Sequence, residues 1–529
     1  MHKLTTRLRG VSASLLLAWA AACAPLVPAA TPAPNAPKRV RILHTNDFHG
    51  RLLPQTPAGA EGRSVGGSAV LAAHFDSAAT RFDGPTFVLS AGDDMQGTAI
   101  SNLSWGRSTI AAHNAAGYDA AALGNHEFDW GQDTLRARIR ESRFPWLAAN
   151  LFRAGTQEPP EWVRPWTMLE RRGVRLAVIG IALPTTPSVV IAGRVNGLQF
   201  GPEIPAIERY AREARAAGAD FVVVTMHVGA ECEQPGQTPT EASQGCRGEM
   251  VDVAQGLSEP VDLIVGGHTH RRVLTRVAGI PLMEAASYGT AYSLTDLEQS
   301  GGRTRVLRQE IRTPYADEVT PDTSVARVVA EWERNVRPIS ERAVVAFAQA
   351  MPRSEGERGE YPLGNLIADA HRVATGAHAS IVNNGSIRRG MPAGIITYGT
   401  LYELQPFQNE LVTLDLNGAD LRAALENALG RDGRVNGHIS GMTVRYAPTA
   451  PQGSRIREIR LSDGRIVRDD TRVTLGVSEF IASGGDRYTA LTRVQPKQTG
   501  LVDLDALVQY LKSLPQPVRP PATGRWVAR

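Results

Sequence analysis

Cysteine is scarce in this chain, with three residues in 529. That excludes a disulfide-dense small scaffold and a four-thiolate metal site. Aromatic residues make up 6% and charged residues 21%, and the net charge is only +4 over the whole length. Nucleic acid and acidic membrane surfaces need a concentrated basic face, so neither is an expected partner. The apolar run Val11 to Ala22 is too short to cross a bilayer as a helix. What remains is a hydrophobic content of 42%, that of an ordinary globular protein. The length exceeds what one hydrophobic core usually supports, so two domains are expected.

Lys3, Arg7 and Arg9 precede the apolar run, the layout of a secretory signal peptide over residues 1–22. A Pro/Ala-rich linker follows over 23–37. The junction Ala20-Ala21-Ala22-Cys23 resembles a bacterial lipoprotein processing site, which would lipidate Cys23, although Ala20 stands where leucine is usual. Ordinary cleavage after Ala22 or Ala24 is the alternative. Either way the chain is expected to be exported, as a periplasmic protein or a membrane-anchored lipoprotein of a bacterium. A lipid anchor would be its one link to a membrane. Cys232 and Cys246 lie in a segment rich in Gly, Pro, Gln and Thr. In an oxidising compartment they are expected to pair, contributing roughly 3 kcal/mol in the chain-entropy model. Two free thiols are the alternative.

From Lys38 to about residue 318 apolar strands alternate with amphipathic helices. Strands are expected at 41–45, 86–90, 175–182, 220–226 and 261–265, and a helix over 204–217 that stops at Gly218. Continuous apolar strands are the pattern of sheets covered on both faces, so a layered α/β domain follows. Over 319–343, Val325, Val328, Val329 and Trp332 take helical spacing before Pro338, which reads as one interdomain helix. A second α/β unit is expected over 344–515. Its helices run over 364–375, 419–429 and 504–511, the first two ended by Gly376 and Gly430. The Pro-rich tail, 516–529, is expected to be loose.

Five short polar motifs each follow an expected strand. They are Asp47-Phe48-His49, Gly92-Asp93, Gly124-Asn125-His126-Glu127, His227, and Gly266-Gly267-His268-Thr269-His270, and they hold five of the twelve histidines. Polar groups collected at strand ends lie where α/β folds build their sites. The donors are oxygen and nitrogen without thiolate, which suits Zn²⁺, Mn²⁺, Fe or Co. Asp93 is the natural bridging carboxylate of a metal pair, because Gly92 lets the backbone turn sharply. Glu127 reads as structural, and His44, inside a strand, as a packed core histidine.

The segments Ile42 to Gly50, Gly92-Asp93, Gly124 to Asp129 and Gly266 to His270 resemble the calcineurin-like metallophosphoesterase signature. More narrowly they are similar to the secreted 5′-nucleotidase family, which includes UDP-sugar hydrolases and 2′,3′-cyclic nucleotide phosphodiesterases. The resemblance covers nearly the whole mature chain. It implies a four-layer α/β metallophosphoesterase sandwich, an interdomain helix and a second α/β domain that binds substrate. It further implies that Asp47, His49, Asp93 and His270 surround one divalent metal, and Asp93, Asn125, His227 and His268 the other. Two metals roughly 4 Å apart can hold a water between them and lower its pKa for in-line attack on a phosphoryl group. By the same resemblance His126 stabilises the transition state and Asp129 orients His126.

In the second half, Asn383-Asn384-Gly385-Ser386-Ile387-Arg388, Gln405 to Asn409 and Phe480 to Asp486 read singly as turns and a strand end. Their order is nonetheless similar to the family's nucleotide-binding elements. The resemblance makes Phe407 and Phe480 the faces between which a base stacks, with Arg388 on phosphate, Asn383 on base or ribose, and Asp486 on the ribose hydroxyls. Arg358 would be a further phosphate contact. Ser386 and Arg487 stand where the family usually has glycine. The expected activity is release of phosphate from 5′-nucleotides. Cyclic nucleotides, 3′-nucleotides or UDP-sugars are the alternatives at the same centre, and a non-catalytic surface nucleotide-binding protein is the alternative of another class.

Overall fold

The computed structural model describes residues 37–57, 60–353 and 359–528. The signal peptide, Cys23, nearly all of the linker, and Arg358 lie outside the described residues. Among those described, no helix is long and apolar enough to cross a membrane.

Two six-stranded sheets fill the segment up to Arg312. The first runs in the order Arg303–Arg312, Tyr292–Ser300, Lys38–Thr45, Thr86–Ser90, Ala120–Ala122, Trp146–Leu147. The second runs Arg272–Val277, Ile280–Ala285, Leu263–Gly266, Phe221–Met226, Val174–Ile181, Trp166–Arg171. Both are parallel in their middle strands; the first carries antiparallel strands at one edge and ends on the parallel strand Trp146–Leu147, and the second is antiparallel at both edges. Side chains alternate across each strand. Ile42, Phe87, Leu89, Val178 and Val223 meet in a core between the sheets. Their neighbours Leu43 and Val88 face Leu71, Phe75 and Ile110 on the helices Ser68–Thr80 and Arg107–Ala116. On the other outer face Ala177, Val222 and Val224 pack on Ile207, Tyr210 and Ala211 of Glu203–Ala216. The strands read as continuous apolar runs because each is buried on both faces, and the result is the four-layer arrangement.

The helix Thr323–Ser340 starts on an Asp322 cap that accepts from the amides of Ser324 and Val325. Its Val325, Val329 and Val336 enter the same core as Leu71 and Ile110. It continues two residues beyond Pro338. Proline in the last turn removes one amide donor, which a helix end tolerates better than its interior does.

After it, a five-stranded sheet runs Gly437–Ser440, Ala379–Asn383, Val473–Ser478, Glu410–Leu416, Lys497–Val502. Gly418–Ala428 covers one face, burying Leu421 and Leu425 beside Ile381. Pro362–Thr375 and Asp503–Ser513 cover the other, with Leu366, Ile367 and Leu507 beside Val382. Gly376 takes the left-handed cap at φ 64°, as its position after the helix predicts. Gly430 does not end its helix, because the chain has already turned extended at Leu429.

The Pro-rich end is not loose. Trp526–Ala528 adds a parallel strand beside Met442–Tyr446, and Trp526 is buried with its Nε1 donating to the Gly437 carbonyl. Arg525 grips Asp369 through two bonds of 2.8 and 2.7 Å. The prolines mark turns on the way to these anchors.

Candidate metal centre and adjoining pocket

All five polar motifs sit on loops at the carboxyl ends of parallel strands, and the two sheets bring them together. The first two loops run side by side: the amides of Asp47, His49 and Gly50 donate to the carbonyls of Gly92, Asp93 and Asp94 at 2.9, 2.9 and 2.8 Å. Asp47, His49, Asp93, His268 and His270 all take left-handed backbone, with φ between 49° and 76°. Each such residue costs about 1–2 kcal/mol, and strain of this kind concentrates at functional sites. Glycine is required where the loops touch. A Cβ on Gly124 would lie 2.2 Å from Asp93 Oδ1, and one on Gly92 2.6 Å from the Gly124 amide nitrogen.

The side chains form two clusters, Asp47 with His49 and His270, and Asp93 with His227 and His268, each able to hold a metal ion. His270 Nε2 lies 3.2 Å from both Asp47 Oδ1 and His49 Nε2. His227 Nε2 lies 3.1 Å from Asp93 Oδ2 and 3.2 Å from Asn125 Oδ1. The outer ring nitrogens fix the tautomers. His49 Nδ1 donates to the Gln96 carbonyl at 2.7 Å and His227 Nδ1 to the Ala91 carbonyl at 2.8 Å. In a neutral imidazole each Nε2 then points a lone pair inward, that of His227 straight at two acceptor oxygens. Asp47 Oδ1 is buried without a hydrogen-bond partner. Such a set is stable only with positive charge at its centre, so the residues fit divalent cations.

The electrostatics agree. Burial disfavours charge on His227, yet Asp93 outweighs it and pushes the imidazole up to about 10. Burial likewise opposes ionisation of Asp47, but His270 and His227 hold its carboxyl below the ordinary range. Burial, with His227 beside it, takes His268 down to about 4. His126 donates through Nδ1 to Asp129 Oδ2 at 2.7 Å; burial works against its charge, and Asp129 and Asp93 together raise it above the usual value.

Glu127 touches no cluster nitrogen. Its buried carboxylate accepts from the amides of Asp93 and Gly124 at 2.8 Å and Asp94 at 2.9 Å, tying the second and third loops together. His44 is packed inside its strand with Nδ1 3.1 Å from Ser293 Oγ. Sequence reading missed the equivalent brace for the last loop. Glu284 bonds Thr269 Oγ1 at 2.8 Å and the Arg271 amide at 2.9 Å from a strand interior, where nothing in the sequence marks it. It also missed Asn46, whose Nδ2 donates to Asp47 Oδ2 at 2.7 Å from the position just before the first motif.

Beside the clusters a cavity of about 170 Å³ is lined by His126, Asp129 and His268 on one side and by Asn383, Arg388, Phe407, Phe480 and Asp486 on the other. Phe407 stacks on His126, centroids 5.4 Å apart and planes at 25°. The Arg388 guanidinium lies 5.8 Å from the Phe407 centroid and 3.4 Å from His49 Nε2. Asn383 Nδ2 donates to Asp486 Oδ2 at 2.7 Å, so these two side chains are mutually tied. Val189, Val190, Ile191 and Arg194 complete the wall, and nothing in their sequence marks them. Arg487 takes the left-handed φ of 68°, where glycine is free of strain, whereas Ser386 fits a helical turn and donates to the Asn383 carbonyl. Away from the site, Cys232 and Cys246 form a disulfide across a two-stranded ribbon.

The family model described as 5′-nucleotidase, C-terminal domain matches residues 340–493, and that described as bacterial capsule synthesis protein PGA_cap matches 70–278. The endonuclease YhcR of Bacillus subtilis is 28% identical over 514 residues, which are 93% of this chain but 41% of that protein. The chain therefore spans less than half of that relative. The 5′-nucleotidase of Vibrio cholerae is 25% identical over 547 residues, 96% of each chain. The crystal structure of the 5′-nucleotidase precursor of Thermus thermophilus superposes with a TM-score of 0.81 at 26% identity, covering 93% of this chain and 99% of that one.

Proposed function

We propose, for a chain that belongs to the calcineurin-like 5′-nucleotidase family and is a metal-dependent phosphoric ester hydrolase, the release of phosphate from 5′-nucleotides outside the cytoplasm. One observation carries the substrate reading. Two metal-binding clusters adjoin a pocket lined by Phe407, Phe480 and Arg388, which offers aromatic faces for a base and a cation for its phosphate.

The contacts support a division of labour. Asp47, His49 and His270 would hold one ion, and Asp93, His227 and His268 the other, with Asn125 beside His227; a shared role for Asp93 rests on the family resemblance. When bound, such ions draw charge from the phosphoryl oxygens and make water a nucleophile near neutral pH. Arg388 reaches from the second half of the chain to within 3.4 Å of His49 and binds phosphoryl oxygens through its planar fork. His126, its tautomer set by Asp129, presents Nε2 to the phosphoryl group and balances the charge that grows there. Phe407 and Phe480 stack the base, and Asp486, steadied by Asn383, receives the ribose hydroxyls.

The domain division is proposed as a metallophosphoesterase unit over 38–318, a connecting helix over 319–343 and a substrate-binding unit over 344–515. Export rests on the charged and apolar leader of residues 1–22. The test is phosphate release from AMP by zinc- or manganese-loaded protein, with His126→Ala as control. Turnover of AMP that His126→Ala abolishes supports the reading. Absence of release from AMP, cyclic nucleotides and UDP-sugars alike would reject it.

A further inference from the structure

A second cavity, of about 380 Å³, lies on the other side of Arg388 and is lined by Arg51, Gly97, Tyr288, Arg388, Arg389 and Glu403. Arg388 borders both this cavity and the aromatic pocket. Only one layer of side chains separates it from the first cluster: the Tyr288 ring lies 5.0 Å from that of His49, and Arg388 Nη2 lies 3.4 Å from His49 Nε2. Its wall at Gly97 is pressed on the ligand loop, since a Cβ there would lie 2.4 Å from the His49 carbonyl oxygen.

The charge in this cavity is unbalanced. Arg51 Nη1 and Nη2 each lie 3.4 Å from the Glu403 carboxylate, which Arg389 also pairs. One carboxylate thus answers two guanidinium groups, and Arg388, which bonds Tyr288 and faces Asp93 and Asp47 on the side of the clusters, adds a third positive charge to the lining. Arg51 Nε is buried and has no hydrogen-bond partner among the described residues. A donor left so beside surplus positive charge is set for an oxyanion, because forked N–H groups match tetrahedral oxygens.

We propose that this cavity is a second oxyanion site, which takes inorganic phosphate from the metal centre by way of Arg388. The proposal rests on the phosphoester reading above. A nucleoside stacked on Phe407 covers the aromatic side of the centre, so phosphate formed beneath it has its open path past Arg388. That one guanidinium borders both cavities and can hold the anion at either end of the transfer. Arg51 and Arg389 take no part in binding base or metal, so their role is confined to product.

The test is calorimetric titration of inorganic phosphate into the metal-loaded protein. The wild type should bind two phosphates per chain, one at the metals and one here. Replacing Arg51, Arg389 and Glu403 together by glutamine removes the charges without leaving the half-buried carboxylate unpaired. This variant should lose the second site or weaken it about tenfold or more. Its turnover at low phosphate should stay near that of the wild type, and its inhibition by phosphate should become purely competitive. Arg51→Lys with Arg389→Lys, which keeps the charge, should retain two sites and shows that the fold survives changes here. A wild type that binds one phosphate, or a triple-glutamine variant that still binds two, would overturn the proposal. Binding at neither site would overturn it as well, and turnover of AMP by the same sample tells whether the phosphoester reading fails with it.

Discussion

Replacing Glu127 by glutamine should weaken metal binding without touching the chemistry. The carboxylate accepts through Oε2 from the Asp93 and Gly124 amides and through Oε1 from Asp94, with Met95 at 3.4 Å. Burial, with Asp93 and Asp94 beside it, pushes the Glu127 carboxyl up to about 8, and hydrogen bonds to a largely neutral acceptor contribute roughly 0.5–1.5 kcal/mol each. Glutamine keeps one oxygen, which will settle on the stronger pair, Asp93 and Gly124. Its amide group then faces the Asp94 amide donor to donor, so the cost is about one such bond and a displaced loop. Asp93 follows directly from that loop, and partners that orient metal ligands typically matter by about 10- to 100-fold in metal affinity. The assay is zinc titration against a chromophoric competitor, followed by activity at rising metal concentration. Affinity should fall by that factor while the rate at saturating metal recovers to within a few-fold of the wild type. An unchanged affinity would refute the structural role. A rate that stays low at saturating metal would place Glu127 in the reaction itself.

Phe407→Ala should lower kcat/KM for AMP by roughly fivefold to a hundredfold, the worth of one base stack, and leave p-nitrophenyl phosphate far less affected. Parallel kinetics on the two substrates check this, and equal losses would reject the stacking role. Arg487→Gly should raise stability by about 1 kcal/mol at most, because φ 68° is strained for arginine and free for glycine. Denaturant unfolding reads the gain, and a loss would show that the Arg487 side chain holds the turn. Trp526→Ala should cost about 3–5 kcal/mol, since the ring fills the core against the five-stranded sheet. Limited proteolysis should then cut the second half first, and protection like that of the wild type would restore the view of a loose tail.

The candidate metal centre was legible because metal chemistry dictates residue types at fixed places. Asp and His at strand ends, with Gly92 and Gly124 where the loops touch, leave few other readings. The same holds for the strands, whose unbroken apolar runs follow from burial on both faces. The rest of the site depends on approaches that no local pattern encodes. Val189 to Arg194 form part of the pocket wall only because a short turn meets residues 485–487 across the fold. Glu284 braces its loop from within a strand, where an acidic residue has no periodic signature. The tail misled because proline-rich composition resembles a linker, while its anchors, Arg525 and Trp526, act on partners some 90 to 160 residues away. Arg487 shows the converse: its departure from the family's usual glycine is visible in sequence, but its left-handed backbone only in the structure.

A metal pair held by the Asp47 and Asp93 clusters is what metal counting tests most directly. Purified protein saturated with zinc or manganese, freed of excess and measured by elemental mass spectrometry, should carry two divalent ions per chain. His270→Ala, which removes a ligand from the first cluster alone, should carry close to one. One ion or none in the wild type, or two in His270→Ala held as tightly as in the wild type, would contradict it.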